Sequence, residues 1–148
     1  MIVSPVLLKQ YPQLAMWICN NIPKVTEKPK VFSAFQKYAG SKPAAQAIRH
    51  KTDPQIEYRI IPADNGQFMT KYPDTVFIAK DICDRFEGSD EDAKDPRMHL
   101  LLESSLLHEM VHWADWLDRK FANDEIGKAF EKEAYGKDVR RYWGKVVP

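Results

Sequence analysis

LLHEMVHWADWLD, residues 106–118, is the stretch on which the reading of this chain turns. His108 and His112 are four positions apart, so on a helix they stand about 40° apart on one face and can grip one metal ion. Two neutral imidazoles suit Zn²⁺, which is tetrahedral and brings no redox chemistry. Glu109 lies about 100° round from His108, too far to be a ligand but next to the coordination position left open. A carboxylate there can take a proton from water that the ion acidifies, then pass it to a leaving amine. Leu106, Leu107, Met110 and Val111 surround the motif with apolar residues, and no proline interrupts it. The bland alternative is a pair of surface histidines beside an ordinary glutamate.

The helix that carries the motif is expected over residues 96–119, with Pro96 in its first turn and Asp95 as N-cap. Leu100, Leu107, Met110, Val111, Ala114 and Leu117 fall at spacings that keep one stripe apolar. An acidic stretch, residues 87–96 (EGSDEDAKDP), reads as an exposed loop. Upstream the period changes to that of strands, over 55–61 and 75–79, with a turn signal at residues 63–66. Residues 81–86 read as a helical turn or two. The first third is helical: 6–20, broken around Pro12, then 31–38 ending at Gly40, then 43–49. After the motif a second helix is expected over 125–135, followed by a tail, 139–148, docked through Tyr142 and Trp143. No internal repeat or linker divides the chain, so it reads as one domain over 1–148, with a helical part at 1–50 and a catalytic core at 55–136.

A zinc site with two histidines needs a third protein ligand, and several carboxylates compete. Asp118 lies six residues after His112, the spacing of a chain that turns back sharply. Such a turn needs glycine where this chain has Asp115. Glu131 and Glu133 lie on the next helix, in the run FEKEAYG at residues 130–136. In the zincins whose third ligand is glutamate, that residue opens an E-x-x-A or E-x-x-D pattern. Glu131 with Ala134 fits this better than Glu133 does, and either could instead belong to a solvated face pairing with lysines. Asp115 reads equally as an acceptor for a ligand imidazole or as a surface partner of Arg119. Tyr135 and Tyr142 are candidate oxyanion donors, though most such tyrosines only pack. Trp113 and Trp116 anchor the helix end or border a substrate groove. Residues 75–79 form either an edge strand that pairs with an extended peptide or a buried strand. His50 and His99 read as ordinary histidines.

The 148 residues carry 22 Lys and Arg against 21 Asp and Glu, which leaves no basic footprint for nucleic acid or an anionic membrane surface. No apolar run approaches the roughly 20 residues that span a bilayer, so no membrane insertion is expected. The first residues lack a basic segment and contain Pro5 and Pro12, unlike a secretory signal. Cys19 and Cys83 stand far apart in apolar surroundings and read as buried free thiols, with one bridge as the alternative.

The stretches LLHEMVHWADWLD and EIGKAFEKEAYG together resemble the zincin metallopeptidases with a glutamate third ligand. More narrowly, they are similar to the toxin metallopeptidase domains of bacterial polymorphic toxins and type VI secretion effectors. The resemblance covers residues 106–136. It implies an α+β, zincin-like fold with a small mixed sheet beside the motif helix, and a following helix that carries the third ligand. It implies zinc held by His108, His112 and Glu131, with Glu109 as general base. It also implies delivery between bacteria by a secretion machine, a protein or cell-wall peptide as substrate, and a cognate immunity protein as partner. The competing readings are an intracellular regulatory peptidase and a zinc-stabilised binding module without catalysis.

Overall fold

Prolines set the boundaries of the first helices. In the computed structural model, which describes residues 1–118 and 126–144, the helix expected over 6–20 is two helices, α1 (Pro5–Gln10) and α2 (Pro12–Asn21). Pro12 has no N–H to continue the hydrogen-bond ladder, but its fixed φ suits a first turn. Ser4 caps α1, its hydroxyl accepting from the Leu7 N–H at 3.0 Å. A 3-10 stretch (Ile22–Glu27) leads to α3 (Pro29–Ala39), which stops at Gly40 with φ 92°, a backbone that favours glycine. Then comes α4 (Ser41–Arg49).

The sheet has four strands, β1 (Ile2–Val3), β2 (Gln55–Arg59), β3 (Gly66–Phe68) and β4 (Thr75–Ala79), in the order β1-β2-β4-β3. β1, β2 and β4 run parallel, and β3 lies antiparallel against β4. This places β4 inside the sheet, with Val76, Ile78 and Ala79 fully buried, so the reading of residues 75–79 as an edge strand is corrected. The edge beside the motif helix is β3. It is only three residues long and starts within the turn signal, which hid it from the sequence pattern.

After β4 come α5 (Lys80–Gly88) and α6 (Asp90–Lys94). The acidic stretch expected as an open loop therefore holds a short helix. Ser89 caps it by accepting from the Asp92 N–H at 3.2 Å, and Asp90, Glu91 and Asp92 fill the first turn, where the helix dipole favours negative charge.

The motif helix is α7 (Pro96–Leu117), capped by Asp95, whose carboxylate accepts from the Arg97 N–H at 2.8 Å. It is buried nearly all round from Leu101 to Asp115, because α3, α4, α8 and the β3–β4 edge all pack on it. Its buried Glu103 is satisfied by Lys28 Nζ at 2.6 Å and the Tyr135 hydroxyl at 2.8 Å. α8 (Ile126–Tyr135) crosses α3 and α7, with Phe130 edge-on to Phe35. The tail docks through residues 139–144: Arg85 lies over Trp143, Arg97 over Tyr142, and the Tyr142 hydroxyl donates to Asp92. Its last four residues lie outside the described ones. Cys83 is buried, Cys19 is exposed rather than buried, and both are free thiols. Among the described residues no helix is long and apolar enough to cross a membrane. The molecule is α+β with a small mixed sheet.

Candidate metal centre

α7 presents His108 and His112 on one face, as their four-residue spacing requires, with ring centroids 5.2 Å apart. A nitrogen from each and a carboxylate oxygen of Glu109 all lie within 4.8 Å of one another. They lie along a cleft of about 930 Å³ bounded by the turn before β3, by β3 itself, by α7 and α8, and by the start of the tail.

Glu109 is 7% exposed, although it is a carboxylate. Burial pushes its pKa up to about 7; His108 and the Phe68 backbone N–H oppose the shift, while Asp64 and Glu131 add to it. β3 comes this close because residue 66 is glycine. A Cβ there would stand 2.7 Å from the Phe77 carbonyl oxygen and 2.9 Å from Glu109 Cγ.

Glu131 reaches the centre from α8 and is equally buried. Its Oε2 is 2.5 Å from His108 Nδ1, and its Oε1 accepts from the Val139 N–H at 3.0 Å. Burial disfavours the charged His108, but the Glu131 hydrogen bond and the fields of Glu109, Glu131 and Asp138 outweigh it and hold the pKa up. Glu133, two residues on, lies on another face of α8 and pairs with Lys37 at 2.6 Å, away from the histidines. That separates the two glutamates the sequence offered. Asp118 is the C-cap residue of α7, past the last helical turn. Asp115 is buried at the cleft, while its candidate partner Arg119 lies outside the described residues.

The other candidates are occupied elsewhere. The Tyr135 hydroxyl serves Glu103 and that of Tyr142 serves Asp92, so neither is an oxyanion donor in this arrangement. His99 stacks on Trp17 and meets the Ala93 carbonyl, and His50 is exposed. Trp113 is fully buried as an anchor, whereas Trp116 borders the cleft.

Sequence reasoning missed several residues of the site. Gly127 packs against His108: a Cβ there would lie 2.3 Å from Nε2, so only glycine lets the α8 backbone come this close to the ring. A glycine inside a helical pattern was the available signal. Asp138 lines the same cleft with its Oδ1 buried and unpartnered, and nothing in its local sequence announces this. These observations fit a bound cation. Two imidazoles and a buried carboxylate converge, and the buried Asp138 Oδ1 in the same cleft has no partner among the described residues. Imidazole and carboxylate together suit a borderline divalent ion.

A family model described as metallopeptidase toxin 3 matches residues 8–136. No curated protein and no solved structure matches the chain.

Proposed function

The chain belongs to the metallopeptidase toxin 3 family, and we propose that it is a zinc-dependent endopeptidase in which His108 and His112 hold the ion and Glu109 is the general base. The observation that carries this is the convergence of those three side chains within 4.8 Å beside an open cleft. Glu131 is the carboxylate that α8 contributes to the same centre. When bound, zinc would supply Lewis-acid chemistry, acidifying water and polarising the scissile carbonyl.

The chain's own groups do the rest. Glu109 takes a proton on its carboxylate and returns it to the leaving amine. Gly66 and the Phe68 N–H hold the carboxylate against the edge strand. Among the described residues no strand pairs the outer edge of β3, so an extended peptide laid along it would pass Glu109. The apolar packing around α7 keeps bulk water from all but the cleft side.

The family's description supports a toxin; that it acts between bacteria on a protein or cell-wall peptide, with an immunity protein in the producing cell, is the further part of this proposal and rests on the resemblance of the sequence. A purely structural zinc site is the weaker reading, because such a site has no use for Glu109 where it stands.

The test is metal content by mass spectrometry on protein purified without a metal-affinity tag, beside His108→Ala. About one zinc per chain, lost in the variant, is expected of a three-ligand site. Absence of zinc, with no uptake at micromolar zinc, would overturn the proposal.

A further inference from the structure

The tail beside the cleft carries a residue whose backbone is fixed and whose side chain is idle. Val139 ties both of its backbone groups: its N–H meets Glu131 Oε1 on α8 at 3.0 Å, and its carbonyl accepts from Asn65 Nδ2, before β3, at 3.2 Å. Arg141 is tied as firmly, to the Asp64 carbonyl and to the Asp81 carboxylate at 3.0 Å each. Arg140 stands between them, exposed and lining the cleft, yet it makes no hydrogen bond or ion pair with any described residue. Lys128 repeats this on α8, one turn before Glu131 on the same face. The carboxylates nearest in the chain do not neutralise them. Asp64 is exposed on the β3 wall, Asp138 has its Oδ1 buried, and neither pairs with Arg140 or Lys128. A cation on ordered backbone binds an anion without first having to order the chain that carries it.

We propose that Arg140, with Lys128 as a second cation, is a specificity-determining residue that receives a substrate carboxylate on the C-terminal side of the scissile bond. An extended peptide on the outer edge of β3 pairs most stably when it runs antiparallel. β3 runs from Gly66 to Phe68, so the C-terminal part of such a peptide leaves past Gly66, toward Asn65 and the tail. Glu109 stands against Gly66 and the Phe68 N–H, so the residues that follow the cut are the ones that approach Arg140. A guanidinium is a planar fork that takes a carboxylate through two parallel bonds. The exposed charges at this end are Lys128 and Arg140 against Asp64, a positive balance that favours an acidic residue over a basic one. An Asp or Glu side chain and a chain terminus offer the same carboxylate. The proposal rests on the peptidase reading and supplies its substrate preference.

Cleavage of a library of chymotryptic peptides by the zinc-loaded wild type, read by mass spectrometry, tests it. Expected is an excess of Asp and Glu over Asn and Gln within about three positions after the cut, roughly 10 Å of extended chain. Cleavage without that excess, with an excess of Lys and Arg there, or with the acidic excess before the cut, overturns the proposal and leaves the peptidase standing. A wild type that cuts nothing overturns the peptidase reading, and the proposal falls with it. Variants supply the second arm, on a synthetic peptide with Glu after the cut and its Lys counterpart. Arg140→Glu should lower kcat/KM for the Glu peptide about 10- to 100-fold, mainly through KM, and come to favour the Lys peptide. Arg140→Lys should keep the acidic preference, and Lys128→Glu should weaken it. An unchanged preference in Arg140→Glu would overturn the proposal. Replacing the C-terminal acid of the peptide by an amide separates the two sources. A rate that falls assigns the carboxylate to the chain end, a rate that holds assigns it to the side chain, and either supports the site.

Discussion

A glutamine at position 109 keeps the shape of the side chain and removes its capacity to take a proton. Glu109→Gln should therefore retain zinc and the fold while peptide hydrolysis falls about 10²- to 10⁴-fold, the usual worth of one general acid–base group. Turnover near the wild-type rate in that variant would exclude Glu109 as the base. The convergence of His108, Glu109 and His112 was legible in the sequence because it depends only on helical periodicity, which is local. What Glu131 touches was not legible. Its two partners, His108 and Val139, come from another helix and from the tail, and a spacing rule cannot say which nitrogen of a ring a carboxylate will meet. The same holds for Asp138, whose Oδ1 is buried by the path of the tail rather than by its neighbours in sequence.

Helix α8 shows how packing overrides propensity. Glycine inside a helix costs about 1 kcal/mol relative to alanine, so Gly127→Ala gains that much from the backbone alone. Against it stands a Cβ placed 2.3 Å from His108 Nε2, a separation that no unstrained structure accepts. His108 or α8 must move. The expected outcome is unchanged helix content by circular dichroism with zinc affinity lowered by at least about tenfold. Affinity equal to the wild type would show that the ring has room to spare. At this scale the long helix α7 and strands β2 and β4 were legible, since each carries a full run of its period. The elements that were missed are the short ones. β3 has three residues, and α6 is held by the Ser89 cap and acidic first turn in a stretch with no apolar face.

For the whole molecule, a bound ion is also a source of stability. A ligand present at a hundred times its dissociation constant adds about 2.7 kcal/mol to folding. For a chain of this size that corresponds to a Tm higher by about 5–10 °C. Calorimetry with and without a chelator should show this difference in the wild type and lose it in His112→Ala. An equal Tm under both conditions in the wild type would deny that zinc binds the folded state. The centre also joins regions that are distant along the chain: α7, α8, the turn before β3 and the tail all meet at one cleft.

The pairing of β1 with β2 bears on the order in which the chain assembles. Ile2 lies opposite Gln55, and the Ser4 amide donates to the Ile56 carbonyl, across the entire segment that holds α1 to α4. Closing so long a loop earns nothing until the intervening helices have shortened it, whereas those helices form from contacts close in sequence. β1 should thus join the sheet after the rate-limiting barrier. Val3→Ala is then expected to quicken unfolding while leaving the refolding rate nearly unchanged in stopped-flow chevrons. A slowed refolding limb would instead make this first strand part of the folding nucleus.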